Sequence, residues 1–245
     1  MRQSIFEIKS NTALTKTVYK MELKGDVSDI TSSGQFVNIK LDGFYLRRPI
    51  SVNDCENGIL TIIYKVVGKG TEQMAKMQAG EKLDVLTGLG NGYDLSLSGD
   101  KPVLLGGGVG VPPLYMLCKK LIAEGKKVSV ILGFNTKDEV FCEEDFKKLG
   151  AEVYVTTADG SYGIKGFVTD ALKDIDYSYF YTCGPEPMLK AVFKSTNTSG
   201  QFSFEERMGC GFGAWMGGSC KTVTCYKRIC KDGPVLKKEE ILWED

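Results

Sequence analysis

The chain has 245 residues, of which 42% are hydrophobic and 25% are charged, and it carries 31 basic and 31 acidic side chains. This composition is typical of a globular protein, and a net charge of zero gives no electrostatic basis for nucleic acid or an anionic membrane as the main partner. The sequence contains no histidine, which excludes Ser-His-Asp triads, Cys-His pairs and HExxH zinc sites. Any chemistry must therefore come from a cofactor, a thiol, a carboxylate or a lysine.

The length predicts two domains and a remainder. The amino-terminal segment carries Glu7 and Lys9 where a secretory signal needs an apolar run, and no later segment approaches the ~18 apolar residues of a membrane helix. We therefore expect a cytoplasmic protein without membrane contact. In that compartment the eight cysteines are expected to be reduced thiols or metal ligands.

Residues 1–99 have the pattern of a β domain. Tyr19, Met21 and Leu23 alternate with charged residues, and the run GILTIIYKVVG at 58–68 is apolar on both faces, as in a central strand. A short helix is expected over 71–79. Several short strands without long helices between them predict a closed or Greek-key β-barrel.

Residues 100–200 alternate between strand and helix patterns. PVLLGG from Pro102 is followed by an amphipathic helix that ends at Gly125 and then by the strand KVSVILGF, which together form a βαβ unit. These features predict an α/β doubly wound domain with a parallel sheet. Residues 201–245 form a small Cys-rich C-terminal segment that we do not expect to fold without a metal or a partner surface.

A glycine-rich run, GGGVGVPP over 106–113, lies between a strand and a helix of this domain. Glycines let the backbone approach a pyrophosphate, and the helix terminus supplies N–H donors. A tight strand-to-helix turn without a ligand is the alternative. The acidic ribose ligand of Rossmann dehydrogenases is missing from the stretch Gly133, Phe134, Asn135, so the charge pattern does not choose between NADH and NADPH.

Three shorter motifs also have the composition of binding sites. Arg47 to Ser51 could pair a pyrophosphate and place a hydroxyl beside a flat ring, although paired arginines at a strand end are often solvated. Gly68 to Thr71 follows the predicted central strand, where an ordinary loop is the alternative. Cys183 to Met188 follows the last parallel strand, where α/β domains bind ligands, and a buried structural cysteine is the alternative.

The order and spacing of these four motifs resemble the ferredoxin-reductase-like flavoprotein superfamily over nearly the whole chain. The resemblance implies that the barrel binds FAD and that the α/β domain binds NAD(P)H, with NADH favoured. It also implies two sets of cofactor-binding residues. The FAD set is Arg48, Pro49, Ile50, Ser51, Lys69, Gly70 and Thr71; the NAD(P)H set is Gly107, Gly108, Gly110, Pro112, Cys183, Gly184 and Glu186.

The tail resembles the electron-transfer subunits of type B dihydroorotate dehydrogenases. The shared segments are ERMGCGFGA at 206–214 and CKDGPV at 230–235. In that family four thiolates in C-x4-C-x2-C…C spacing hold a [2Fe–2S] cluster. Cys210 and Cys230 match the outer positions, but Trp215 and Gly218 occupy the inner two and cannot ligate iron.

Three interpretations of the tail therefore remain open. Cys220 and Cys225 could complete a rearranged cluster with Cys210 and Cys230, although C-x9-C-x4-C-x4-C is not a plant-type spacing. Four thiolates also suit zinc. The third interpretation is a set of reduced thiols in an altered tail.

The resemblance implies an electron-transfer subunit that oxidises NADH through FAD. Electrons would pass, by a cluster if one is retained, to the catalytic subunit of a heterotetrameric dihydroorotate dehydrogenase of pyrimidine biosynthesis. Hydride transfer between cofactors needs no histidine, and no residue of the chain is expected to be catalytic. One alternative is a stand-alone NAD(P)H:acceptor flavin reductase without a cluster; another is a non-catalytic structural subunit.

Overall fold

The computed structural model describes residues 1–205, 219–223 and 226–243. The amino-terminal part forms the predicted β-barrel, which is closed and has the strand order β1-β2-β5-β4-β3-β6, all pairs being antiparallel. Its strands are β1 (Arg2–Ala13), β2 (Val18–Lys24), β3 (Phe36–Lys40), β4 (Arg48–Glu56), β5 (Ile59–Lys65) and β6 (Lys82–Leu89).

Alternating side chains fill the barrel, as the two-residue period predicts. Along β2, Met21 and Leu23 are fully buried and their neighbours face outward. The β4–β5 hairpin turns at Asn57 and Gly58, both with positive φ, which is the conformation that Asn-Gly hairpins adopt. Helix α1 (Lys69–Lys76) follows β5 and buries Met74 in the barrel core. It begins two residues before the predicted start at Thr71.

The second domain is a seven-stranded sheet, counted over the described residues, with the order β10-β9-β8-β7-β11-β12-β15. All its pairs are parallel except that of β15, which runs antiparallel to β12. The strands are β7 (Pro102–Gly107), β8 (Ser129–Phe134), β9 (Glu152–Thr157), β10 (Ile164–Lys165), β11 (Tyr179–Cys183), β12 (Gly200–Ser203) and β15 (Val235–Lys237).

Helices cover both faces of this sheet, which confirms the predicted doubly wound architecture. Leu104 on one face of β7 packs with helices α2 (Pro113–Ala123) and α3 (Glu143–Leu149). Val103 and Leu105 on the other face pack with α4 (Val168–Leu172) and α5 (Glu186–Ser195). The chain reverses its direction of winding at β7, so that β8 lies on one side and β11 on the other. A crevice for ligands is expected at this point.

Two sets of polar contacts hold the barrel and the second domain together. Lys119 on α2 pairs with Asp54 at 3.1 Å and with Glu56 at 2.7 Å, both on β4. On the other side, Asn91 after β6 donates to the Val235 carbonyl at 2.8 Å and accepts from the Val235 amide at 2.9 Å. The ends of the barrel strands are therefore fixed relative to the crevice.

The described part of the tail contains three strands. β13 (Ser219–Lys221) and β14 (Tyr226–Arg228) pair antiparallel in a separate two-stranded sheet, while β15 extends the second sheet. Cys230 is buried against Phe36 and Leu89 of the barrel. Among the described helices, none has the length and hydropathy needed to span a bilayer.

Candidate functional site

The guanidinium of Arg48 lies at the start of β4, next to the beginning of α1. It stacks over the ring of Phe44, 4.5 Å from the centroid, and donates to the carbonyl of Leu46. A Cβ atom at Gly70 would lie 2.8 Å from the Arg48 Cζ, so a larger residue would displace the guanidinium from this position. Arg48 and Gly70, which lie 22 positions apart in the sequence, thereby bring two of the motifs together at one basic surface.

Arg47, the neighbouring arginine, forms its contacts within the barrel. It forms an ion pair with Asp84 at 2.9 Å and donates to the carbonyl oxygens of Asn38 and Asp84. Although partial burial raises the pKa of Asp84, hydrogen bonds from Arg47 and Gln3 hold it below its ordinary value. Arg47 therefore ties the residue before β4 to β6, whereas Arg48 stacks on Phe44 and adjoins the beginning of α1.

Thr71 caps α1. Its hydroxyl accepts from the amides of Val67 at 2.9 Å and Gly68 at 3.3 Å and donates to the Gly68 carbonyl at 3.0 Å. The helix begins at Lys69, and the first N–H groups of a helix have no partner within it. Thr71 thus orients the loop, while the amides of Lys69 and Gly70 supply donors beside Arg48 that suit an anion.

In the second domain, the glycine run and the Cys-Gly motif meet at the ends of adjacent parallel strands. Cys183 is the register partner of Gly106. A Cβ atom at Gly110 would lie 2.6 Å from the Cα of Gly184, so only glycine allows the two segments to pack this closely. The predicted crevice at the change in winding direction is therefore formed by these two motifs.

This crevice opens into a cavity of about 570 Å³. Of the predicted residues, Gly107, Gly108, Gly110 and Gly184 line it. Pro112, Cys183 and Glu186 do not: Pro112 precedes helix α2, and Glu186 is directed to Lys190, with which it pairs at 2.8 Å.

The charged groups of the cavity lining are the carboxylates of Glu139 and Glu205 and the ammonium group of Lys65, within the described residues. Lys65 ends strand β5, so the barrel contributes to the cavity wall. Glu139 was not among the residues predicted from the sequence, because it lies beyond the stretch Gly133–Asn135 at the end of the β8 pattern. A 3₁₀ turn over Lys137–Glu139 returns this carboxylate to Asn135, and the acidic cluster DE at 138–139 was the available signal.

Cys183 ends β11 and directly precedes Gly184 of the cavity lining. Burial raises the pKa of the Cys183 thiol from an ordinary 9.0 to about 12; a hydrogen bond with Ser203 acts in the opposite direction, and the charge of Glu205 adds to the increase. The thiol is therefore neutral in the folded protein at physiological pH, which agrees with a packing or positioning role and not with a nucleophile.

The raised pKa predicts a dependence of stability on pH. In the unfolded chain the thiol loses its proton near pH 9, whereas the folded chain retains it up to about pH 12. Its contribution is thus fully present below about pH 9 and is lost as the pH rises towards 12. The unfolding free energy is measured by urea denaturation at about pH 7.5 and at about pH 10.5. Its decrease between these two pH values should be smaller in Cys183→Ala than in the wild type. Equal losses in the two proteins would contradict the assignment.

The tail offers an incomplete set of ligands for a plant-type cluster. Cys230 is buried beside Phe36, whose backbone pairs with Ser51 of β4. Cys220 belongs to β13; Cys210, Cys225, Trp215 and Gly218 lie outside the described residues. The described residues contain no group of three or more Cys, Asp or Glu side chains that could hold a metal ion. Because an indole and a glycine stand at the inner positions, the donor set does not fit a plant-type [2Fe–2S] cluster.

Comparison with known proteins agrees with this architecture. Residues 104–194 match the model of the oxidoreductase NAD-binding domain, and residues 205–242 match that of the iron–sulfur cluster binding domain of dihydroorotate dehydrogenase B. A structure of NADH-dependent reduced ferredoxin-NADP oxidoreductase superposes with a TM-score of 0.88 at 30% identity, covering 98% of this chain and 90% of that one. A ferredoxin NADP⁺ reductase from Neisseria gonorrhoeae shares the fold, with a TM-score of 0.69 at 18% identity, over 80% of this chain and 90% of that one.

Fold and site thus define a flavoprotein oxidoreductase of the ferredoxin-reductase-like class. Two relatives are named "Dihydroorotate dehydrogenase B (NAD(+)), electron transfer subunit". The one from Fusobacterium nucleatum is 46% identical, with 96% of each chain covered, and the one from Bacillus pumilus is 44% identical, with 98% of each chain covered. The chain belongs to this family of electron-transfer subunits, as the motifs predicted.

Proposed function

We propose that this chain oxidises NADH with FAD and delivers the electrons to the catalytic subunit of a type B dihydroorotate dehydrogenase. The observation that carries the proposal is the cavity at the ends of β7 and β11, which is lined by Gly107, Gly108, Gly110 and Gly184 and also by Lys65 of the barrel. Such a cavity allows a dinucleotide held by the second domain to extend to the barrel, the domain that carries Arg48. Family membership supports both the reaction and the partner.

The barrel residues fit FAD, because the close approach of Arg48 to Gly70 and the beginning of α1 provides both a cation and N–H donors for a pyrophosphate. We assign Arg48, Lys69 and Gly70 to the FAD phosphates, with Thr71 as the cap that positions them. Pro49, Ile50 and Ser51 follow on β4 and are proposed to contact the ring system. Bound FAD would supply the exchange between two-electron and one-electron transfer.

For NADH, we propose that Gly107, Gly108 and Gly110 lie against the pyrophosphate and that Gly184 leaves room for the nicotinamide end. Pro112 and Glu186 stand at the amino ends of α2 and α5, where they would orient these loops without touching the dinucleotide. The neutral Cys183 thiol would pack behind the nicotinamide and keep charge away from the path of the hydride. We propose residues 1–99 as the FAD domain, 100–200 as the NAD domain and 201–245 as the partner-facing segment.

The tail is not assigned a plant-type cluster, because two of the four ligand positions are Trp215 and Gly218. Three arrangements of the tail remain. Cys210, Cys220, Cys225 and Cys230 could hold iron, could hold zinc, or could be reduced thiols without a metal. Metal and sulfide analysis of anaerobically purified protein distinguishes them.

Restoring the missing ligands is expected to restore cluster binding. The double substitution Trp215→Cys and Gly218→Cys should raise iron and sulfide to about two of each per chain, since four thiolates complete a [2Fe–2S] site. Trp215→Ser with Gly218→Ser is the matched control and should bind no more iron than the wild type. A wild-type protein that already contains as much iron and sulfide as the double cysteine variant would contradict the conclusion drawn from the ligand set.

Assay with the partner tests the proposed function. The chain should copurify with the catalytic subunit of type B dihydroorotate dehydrogenase when the two are coexpressed, and the complex should reduce NAD⁺ with dihydroorotate. NADH oxidation with dyes but no dihydroorotate-dependent NAD⁺ reduction would favour a stand-alone flavin reductase, which the loss of two ligand cysteines makes the second candidate. A chain that binds no flavin would instead fit the structural subunit.

A further inference from the structure

The segment that joins the two domains, residues 90–94, is bound at each end by a buried glutamine. At the barrel end, the side-chain amide of Gln35 donates to the Gly90 carbonyl at 3.2 Å. At the other end, Gln201 of β12 bonds both backbone groups of Asp94. Its Oε1 accepts from the Asp94 amide at 2.8 Å, and its Nε2 donates to the Asp94 carbonyl at 2.8 Å. This linker is therefore fixed to both domains, unlike a hinge.

The side chain of Gln201 is 2% exposed, and its amide is committed to the linker and the sheet. Nε2 also donates to the Tyr179 hydroxyl at 3.2 Å, so both of its N–H groups are used. Tyr181 of β11, the register partner of Gln201, donates its hydroxyl to the same Asp94 carbonyl at 2.9 Å. Removal of the Gln201 amide would leave the Asp94 amide without this partner and would loosen the end of the linker from β12.

Tyr93 connects the linker to the strand end that borders the cavity. Its backbone amide donates to the Ser33 carbonyl of the barrel at 2.8 Å, and its hydroxyl donates to the Thr182 carbonyl of β11 at 3.4 Å. Thr182 stands two residues before Gly184, which lines the cavity. Because Tyr93 directly precedes Asp94, a shift of the linker at Asp94 would change how the barrel lies against this strand end.

The other contacts between the domains leave this part of the structure to Gln201. The ammonium group of Lys119 is partly exposed, and ion pairs of that kind contribute only about 0–1 kcal/mol. Asn91 bonds Val235, which belongs to the tail strand β15. Gln201 instead joins the linker to β12, the strand that pairs with β11 at the crevice.

The distance between the domains matters for the proposed reaction, in which the barrel holds FAD and the second domain holds NADH. A hydride leaves NADH with both electrons of its C–H bond, which gives NAD⁺ and reduced FAD. Such a transfer requires reacting atoms about 3–3.5 Å apart, and a displacement of about 1 Å can cost ~10²-fold in rate.

We infer that Gln201 is a positioning residue for hydride transfer from NADH to FAD, which acts by fixing the linker at Asp94 and thereby the position of the second domain against the barrel. This inference rests on the proposed function, because it concerns the reaction between the two domains. It assigns Gln201 no contact with either nucleotide.

The test compares two substitutions of buried polar residues in the second domain. Gln201→Met keeps a side chain of similar length and removes both bonds to Asp94. Thr196→Val is the control, because Thr196 is also buried and its side-chain hydrogen bonds are to Val192 and Lys238. Gln201→Met should lower the rate of FAD reduction at saturating NADH by roughly 10- to 100-fold. Its NAD⁺ affinity, measured by calorimetry, and its flavin content should match the wild type, and Thr196→Val should leave the rate unchanged.

Hydrogen exchange gives a readout that does not depend on activity. The Asp94 amide should exchange slowly in the wild-type protein without nucleotide, and faster in Gln201→Met, because Gln201 is its hydrogen-bond partner. If Gln201→Met does not fold, Tyr181→Phe takes its place, since it removes one bond to the Asp94 carbonyl and keeps the ring. Tyr181→Phe should lower the same rate, by less than Gln201→Met, while the Asp94 amide stays protected.

The outcomes separate this inference from the proposed function. A wild type whose flavin is not reduced by NADH would refute the proposed function. If NADH reduces the wild type, the positioning role of Gln201 would be overturned by an unchanged rate in Gln201→Met, or in Tyr181→Phe where that variant replaces it. An equal decrease in Thr196→Val, or rapid exchange of the Asp94 amide in the wild type, would overturn it as well.

Discussion

Arg48→Ala is expected to give a folded protein that no longer retains FAD through purification. The guanidinium is the cation that the fold presents beside the beginning of α1, and losing one partner of a charge-assisted contact costs about 2–5 kcal/mol of binding free energy. That loss corresponds to a weakening of roughly 30-fold to several thousand-fold. The flavin content per chain, measured by absorbance after gel filtration, checks the result. Flavin content equal to that of the wild type would contradict the assignment.

Two companion variants sharpen this experiment. Gly70→Ala leaves the arginine in the chain but places a methyl group where its guanidinium now lies; the side chain must move aside, so FAD binding should weaken less than in Arg48→Ala. Arg47→Gln removes the ion pair with Asp84 and should lower the thermal unfolding temperature while the folded fraction retains FAD. Loss of FAD in Arg47→Gln and its retention in Arg48→Ala would reverse the roles of the two arginines.

Gly110→Ala is expected to abolish efficient reduction of FAD by NADH without loss of FAD. The added methyl group would meet the backbone at Cys183 and Gly184 and force the ends of β7 and β11 apart. Displacement of a bound substrate by about 1 Å can cost ~10²-fold in rate, and overpacking costs about 1–3 kcal/mol of stability. Stopped-flow reduction by NADH and the flavin content should therefore respond differently.

A control in the same domain separates the loss of stability from damage to the cavity. Gly125 has a positive φ of 80° after α2 and open space around it, so Gly125→Ala strains the backbone far from the glycine run. We expect a lower unfolding free energy and a normal rate of reduction by NADH. If Gly125→Ala slowed this rate as much as Gly110→Ala, the effect could not be ascribed to the cavity.

Local patterns in the sequence were sufficient to predict the architecture. The two-residue period of the barrel strands and the βαβ pattern after Pro102 depend on burial of one face of each element, and both were confirmed. The four motifs were also predicted to bind ligands, and two glycine contacts explain why they could be recognised. Gly110 is needed because the backbone of Cys183 and Gly184 leaves no room for a Cβ atom, and Gly70 allows the Arg48 guanidinium to lie against the loop. Such positions are visible in a sequence as glycines in unusual runs.

Features that depend on contacts between distant segments could not be predicted. Nothing local distinguishes Arg47 from Arg48, since the difference lies in Asp84 on another strand. Glu139 reaches the cavity only because a 3₁₀ turn returns it to Asn135. The pairing of β15 with β12 joins the tail to the second sheet, and a short strand in a tail with little periodicity gives no signal of its partner.

The most direct test of the account is the visible absorption spectrum of the purified protein under anaerobic conditions, before and after addition of NADH. We expect a yellow protein whose flavin absorption is bleached by NADH. Colourless protein that does not bind added FAD, or a bound flavin whose spectrum NADH leaves unchanged, would contradict it.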